Sequence, residues 1–548
     1  MENKSTKTSA LLALISVFFF WGFLAASNGI FIPFCKTHFG LSQFQSQLID
    51  SAFYGAYFIG SLLLYIFSLQ FNKDIINKIG YKRTIIYGLL ISIVGALIMI
   101  PAVGSGSFMF ILAAFFVIAL GFSLQQTSAN PLVLNLGNPA TGSYRLNFAG
   151  SVNSLGTAIG PILVSLALFG KLIATDADKT SASLGSINVL YVILAVAFGA
   201  AIVVLIFSNI PTLEIEADQS EVKVLKQPLF FIMGTLAFLV LIFGYSAYAA
   251  RDISSGVNFR QEYSKMLFLV IITVTLIILL LLLLLLFRKI KRENRFEGES
   301  YPQVTLGMIA IFIYVGVEVT IQSNMGTLLK TPEFGGLQDS QISPFISLYW
   351  GSLMIGRWTG AIDAFKTSKT TNTILTLVIP FVAFAFVLFM NHLNGADISN
   401  FYLYAICVAL LLAGFILGKH RPTFTLMLFG VLGTLAMLTG LLSKGTVGIY
   451  AFLSGGLFCS IMWPCIFSLA IAGLGKYTSQ ASGFLIMMIL GGAFIPPVQG
   501  LLADHTSIHL SYIIPVFCFL YLAWYAWKMK KLLERKGINY DVASEAAH

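Results

Sequence analysis

The chain is cut from end to end into apolar runs of the length that crosses a hydrocarbon core, about 20 residues each. These runs fall at 9–34, 48–70, 84–103, 107–136, 146–170, 188–209, 228–250 and 266–287. They continue at 303–329, 342–365, 372–391, 401–418, 422–441, 446–473, 480–503 and 508–529. The pattern predicts an all-α polytopic membrane protein of about sixteen transmembrane helices. Composition excludes a soluble alternative. The 548 residues are 57% hydrophobic and only 10% charged, whereas soluble domains are about a quarter charged. In water such a chain would expose large apolar patches.

The formal charge of +10 does not point to nucleic acid, because the bases sit in short loops between apolar runs. Cytoplasmic loops collect Lys and Arg. With the N-terminus inside, alternate loops hold Lys73, Lys78, Lys82 and Arg83, then Arg145, then Lys223 and Lys226, then the cluster from Arg288 to Arg295. Lys366 and Lys369, Lys419 and Arg421, Lys476, and the tail from Lys528 to Lys536 follow in step. An even helix count with both termini cytoplasmic satisfies the rule. The first run follows Lys4 and Lys7 and holds Ala25-Ala26-Ser27, as a cleaved signal would. It is too long for a signal core and is expected to stay as the first helix.

The runs differ in kind. Residues 266–287 carry two threonines and otherwise nothing polar, so this helix is expected to face lipid. Other runs are rich in Gly, Asn, Gln and Pro, which allow close packing and line cavities. Two halves show matching breakers. Pro131 precedes Gly156 to Pro161 by about thirty residues, and Pro464 precedes Gly491-Gly492 and Pro496-Pro497 similarly.

An ionisable group inside a membrane helix is costly and marks a function or a partner. Glu318 lies midway along 303–329, with Tyr314 a turn before it and Gln322 a turn after, on one face. Glu318 can accept a sugar hydroxyl, bind a cation, carry a proton, or pair with a neighbouring helix. Asp50, at the outer start of the second run, is either a helix cap or a coupling group. Arg357 and Asp363 near the cytoplasmic end of 342–365 read as a structural charge latch. Amides at Asn28, Gln125, Gln126, Asn130, Asn147 and Asn153 offer donor and acceptor together, matching a neutral hydroxylated ligand. Trp21, Trp350 and Trp463 can stack on a sugar ring or anchor at interfaces. The six histidines fall in loops, helix ends or the tail, and the five cysteines show no paired spacing. No metal site, cofactor or enzyme motif is expected.

Several stretches together carry a family resemblance. Ser51-Ala-Phe-Tyr-Gly-Ala-Tyr-Phe-Ile-Gly60, Gln126-Thr-Ser-Ala-Asn130-Pro131, Arg145-Leu-Asn147 and Asn153-Ser154 resemble the fucose permease and glucose/galactose transporter family of the major facilitator superfamily. Tyr314-Val-Gly-Val-Glu318, Gly356-Arg357-Trp-Thr-Gly360, Pro464 to Ser468 and Gly483 to Met487 fit as well. The resemblance implies two six-helix bundles, alternating access and transport of a small sugar. It places an N-terminal bundle at 1–209, a linker with an extra helix pair at 210–300, and a C-terminal bundle at 301–530. A second inserted pair lies near 372–418, and a cytoplasmic tail fills 531–548. It also implies that Asn153 contacts sugar. The acids of the fucose-type proton relay are replaced here by Gly29 and Gln126, and a neighbouring sugar-site Gln by Gly150. The expected ligand set is Asn28, Gln126, Asn153, Glu318, Gln322 and Trp463, with Glu318 or Asp50 as coupling groups for H⁺ or Na⁺. The expected partners are a sugar and the lipid bilayer, with a monomeric chain and no nucleic acid. The alternatives are a non-transporting sugar sensor, a polytopic membrane enzyme, or a carrier of an amino or acidic sugar.

Overall fold

The computed structural model describes residues 8–39, 43–137, 141–170, 185–210, 223–249, 259–337, 339–364, 368–393, 395–418 and 421–538. The long helices are α1 (Thr8–Phe39), α2 (Gln43–Gln70), α3 (Tyr81–Gly104), α4 (Phe108–Asn135), α5 (Gly142–Phe169) and α6 (Gly185–Phe207). Next come α7 (Lys226–Ala249), α8 (Phe259–Arg292), α9 (Pro302–Leu329), α10 (Asp339–Ala361), α11 (Lys369–Leu393) and α12 (Ala405–Gly418). The last are α13 (Pro422–Leu442), α14 (Gly445–Cys459), α15 (Met462–Ala470), α16 (Thr478–Met487), α17 (Gly491–His505) and α18 (Ile513–Arg535).

Among the described residues, fifteen segments are long and apolar enough to cross a membrane. The predicted run at 342–365 corresponds to α10, equally long but more polar because it carries Ser, Gln and Arg357. Counting it, every predicted run has its helix. Two runs are broken within the membrane. The run at 446–473 divides into α14 and α15 around Ser460 and Ile461, and α16 and α17 are joined by a 3₁₀ turn at Met488–Leu490.

Two groups of helices pack internally. In one, α3 lies against α4 and α6, α1 against α5, and α2 against α4. In the other, α9 packs on α17 and α18, α13 on α14 and α18, and α10 on α14. Lipid is as apolar as a leucine, so helices associate through close approach and small residues. The matching glycines show this. A β-carbon on Gly156 of α5 would lie 2.2 Å from the Phe19 carbonyl of α1. One on Gly491, which opens α17, would lie 1.8 Å from the Phe312 carbonyl of α9. The two halves thus use the same device at corresponding crossings.

Helices α7 and α8 pack mainly on each other. Their ends are strapped together by Val224 N–H to Arg295 O (2.9 Å) and Glu297 N–H to Val224 O (3.0 Å). Along α8, Ile271, Ile278, Leu281 and Leu285 are exposed, a surface that only lipid can cover. Helix α11 packs on α10 and α12, and α12 also touches α13 and α14.

The basic loops share one face. Lys82 Nζ donates to Ser208 O (2.8 Å), Lys223 Nζ to Asn294 O (3.3 Å), and Lys536 Nζ to Ser300 O (3.1 Å). At this face the halves are joined. Asn77 Nδ2 donates to Lys476 O (3.4 Å), and the Ser479 hydroxyl donates to the Asp74 carboxylate. Burial pushes the Asp74 carboxyl above its usual range, against the hydrogen bonds from Asn77 and Ser479.

Candidate substrate cavity between the two helix groups

Where α1, α2, α4 and α5 meet α9, α10 and α15, the halves line a cavity that opens to solvent, about 940 Å³ with the solvent at its mouth included. The polar residues lining it are Tyr54, Tyr57, Gln126, Asn130, Asn153, Thr157, Tyr314, Glu318 and Arg357. Trp21, Trp350 and Trp463 supply aromatic wall. Helix periodicity explains the N-terminal contribution: Gln126 and Asn130 lie one turn apart on α4, as do Asn153 and Thr157 on α5. Trp463 sits beside Tyr314, their ring centres 6.2 Å apart.

The amides divide by what they are bonded to. Gln125 accepts from Trp21 Nε1 (3.0 Å) and donates to Ser92 Oγ (3.2 Å), so it ties α1, α3 and α4 together. Gln126 donates to the Tyr57 hydroxyl (3.0 Å). Asn153 Nδ2 donates to Phe18 O (3.1 Å) on α1. Asn130 differs from these: it is 1% exposed, lines the cavity, and among the described residues neither its oxygen nor its nitrogen has a hydrogen-bond partner. Leaving a buried polar group unsatisfied costs about 1–3 kcal/mol. The donors and acceptor of Asn130 are thus uncommitted beside the cavity.

Glu318 is paired. Arg357 Nη2 donates to Glu318 Oε1 at 3.0 Å and to the Tyr314 hydroxyl at 3.3 Å. Its Nη1 reaches the other half, donating to Asn153 Oδ1 (3.3 Å) and Ser154 Oγ (3.0 Å). Nε donates to Ser460 O (3.4 Å) at the break before α15. The sequence reading placed Arg357 with Asp363 in a latch at the end of the helix, and the structure corrects it. Asp363 instead accepts from Asn372 Nδ2 (2.7 Å). Side chains on a helix lean toward its N-terminus, so a long arginine near the C-terminal end of α10 reaches back to mid-membrane. Arg357 therefore belongs to the cavity wall. The pair still leaves the cavity formally neutral, because Glu318 balances Arg357.

Of the remaining expected residues, Gln126, Asn153, Glu318 and Trp463 line this cavity together. Gln322 does not; half-buried further along α9, its amide donates to Ser323 Oγ (3.2 Å). Asn147 lines a smaller void nearer the basic face, with Ser143 and Gly360. The side chains of Asn28 and Asp50 lie outside the described residues. Tyr54 and Tyr57 went unnoticed in the sequence, although their spacing with Phe53 puts a ring-bearing face on α2.

Paired helix groups around a mid-membrane cavity, sealed on the basic face, are the features of the major facilitator fold. The chain is a polytopic membrane protein with that fold. No protein-family model matches it. It is similar along nearly its whole length to named sugar transporters. It is 29% identical over 516 residues to a glucose/galactose transporter of Brucella abortus, covering 94% of this chain and 93% of the relative. It is 24% identical over 520 residues to an L-fucose-proton symporter of Escherichia coli, covering 92% and 90%. Among solved structures, the E. coli fucose:proton symporter superposes with a TM-score of 0.62 at 21% identity, covering 95% of this chain and 98% of the other. The human organic anion transporter MFSD10 gives 0.52 at 14%, covering 95% and 98%. At those identities the structures speak for the fold.

Proposed function

We propose that this chain is a secondary transporter that moves a small neutral sugar across the cytoplasmic membrane by alternating access. The carrying observation is the Asn130 amide, buried, unpartnered and facing a cavity whose charges cancel. Such a cavity offers donors and acceptors for hydroxyls and aromatic faces for the apolar side of a ring, with no net attraction for an ion. The named activities of the full-length relatives support glucose, galactose or L-fucose as the candidate cargo.

In this reading the basic face is cytoplasmic and both termini lie there, as the loop bases require. The conformation described is then the one sealed toward the cytoplasm. Sugar enters against Gln126, Asn130 and Trp463, and leaves when the seal around Asp74 and Ser479 parts. The working unit is one chain in the bilayer. Gln126 cannot exchange a proton, so coupling to H⁺ or Na⁺, where present, falls to Glu318. The test is uptake of labelled sugar by proteoliposomes with and without each ion gradient. Gradient-driven accumulation that Glu318→Gln abolishes, with exchange retained, supports Glu318 as the coupling acid. Accumulation unchanged in that variant removes Glu318 from coupling.

A further inference from the structure

We propose that Arg357 is a clasp between the two halves, released when a sugar hydroxyl takes its place on Asn153. The release step rests on the sugar-transport reading; the clasp itself does not.

Arg357 is a C-terminal-half residue whose guanidinium spans the divide. One nitrogen holds Glu318 and Tyr314 on α9, and the other holds Asn153 and Ser154 on α5. The planar fork of arginine can serve both partners at once, which a lysine ammonium does less well. The next residue adds a second bond across the same seam, Trp358 Nε1 to Ser151 O at 3.3 Å. The seam is built to admit the side chain. A β-carbon on Gly150 would already touch Arg357 Cδ at 3.5 Å, so a longer side chain there would occupy its path.

The clasp also explains the state of Asn153. With Nδ2 donating to Phe18 O and Oδ1 accepting from Arg357, its amide is committed on both sides. Asn130, across the same cavity, is committed on neither. A sugar can therefore settle first on Asn130 and gain Asn153 only by displacing Nη1. The displaced guanidinium keeps Glu318 as its counter-charge, so no bare charge is left in the membrane. What is lost is Arg357's share of the bonding between the packed helices α5 and α10, leaving the Trp358–Ser151 bond to hold the seam alone. Ligand binding thereby weakens the closed seam, a differential interaction of the kind a conformational shift needs.

The reporter is Ser143→Cys in a Cys465→Ser background. Ser143 is 2% exposed and lines the small void beneath the cavity, where Cys465 also lies. Alkylation by a membrane-permeant maleimide is measured in the full chain in proteoliposomes, with the Cys465→Ser protein as blank. The charge-neutral variant Glu318→Gln/Arg357→Gln removes the clasp without stranding a charge. It is expected to raise labelling without sugar about tenfold, the equivalent of one charge-assisted hydrogen bond. Ser154→Ala, which leaves the ion pair intact, is expected to give a smaller rise and guards against a misfolded double variant. Glucose, galactose or L-fucose is expected to raise labelling of the reporter protein and to add little in the double variant. Labelling that rises in both variants but answers to none of the three sugars supports the clasp and counts against the sugar reading. Labelling unchanged by both variants, with a normal sugar response, overturns the clasp.

Discussion

The two halves contribute unlike chemistry to the cavity they share. The N-terminal half brings uncharged amides and hydroxyls: Gln126, Asn130, Asn153 and Tyr57. The C-terminal half brings a charge pair, Glu318 and Arg357, with Tyr314, Trp350 and Trp463. The helix scaffolds are nonetheless alike, down to the glycine crossings at Gly156 and Gly491. Two like scaffolds therefore carry unlike side chains, uncharged amides on one side and a compensated charge pair on the other. Arg357 joins the two.

The comparison can be broken most severely from the charged side. Glu318→Ala strands Arg357, and breaking a buried ion pair typically costs about 3–5 kcal/mol. Thermal unfolding in detergent should show a loss near the lower bound, because both side chains retain some exposure. Sugar exchange should vanish. Glu318→Ala/Arg357→Ala should recover much of the stability and none of the exchange. Equal stability in the single and double variants would mean the pair is not a unit.

On the amide side, neighbouring residues should separate. Gln125→Leu orphans Trp21 Nε1, at a cost of about 1–3 kcal/mol, while Ser92 keeps its bonds to Gly88 O and Ile118 O, and sugar affinity should change little. Asn130→Leu removes an amide with no hydrogen-bond partner among the described residues. Stability should hold or rise slightly, while sugar affinity falls about tenfold, as for one or two lost hydrogen bonds. Titration calorimetry beside thermal unfolding reads both. If Asn130→Leu destabilises without altering affinity, Asn130 is a packing residue.

The smallest effect concerns the seal. Asp74 binds protons more readily when buried at the closed basic face than when exposed. The state with the raised carboxyl pKa gains relative stability as pH falls, so acidification above the ordinary carboxylate range should favour the sealed form. Asp74→Asn should flatten this slope. The readout is alkylation of Ser143→Cys against pH, compared between the two proteins and against a pH-matched free thiol.

The helices were legible because a hydrocarbon core imposes one length and one composition on each. Even polar α10 was found, as apolar residues still outnumber the rest over the run 342–365. The amide side of the cavity was legible too: Gln126 and Asn153 stand out against apolar neighbours, as Glu318 does on α9. Arg357 was misplaced because spacing along α10 reports where the Cα lies, and not how far a long side chain reaches back. Gln322 illustrates the converse. One helical turn from Glu318 preserves the face but moves the side chain along α9, beyond the cavity. Residue type alone does not distinguish Gln125 from Gln126; the family resemblance singled out Gln126. The packing of Trp21 and Ser92 on Gln125 gives the physical reason, assigning the first to structure and leaving the second at the cavity.

The most direct measurement is counterflow. Proteoliposomes preloaded with unlabelled D-glucose, D-galactose or L-fucose are diluted into the same labelled sugar, for the wild-type protein and for Asn130→Leu. Transient accumulation of at least one sugar, much slowed at low concentration in Asn130→Leu, is the predicted result. Sugar that binds in detergent but never exchanges across the vesicle would contradict transport and leave a sensor in its place.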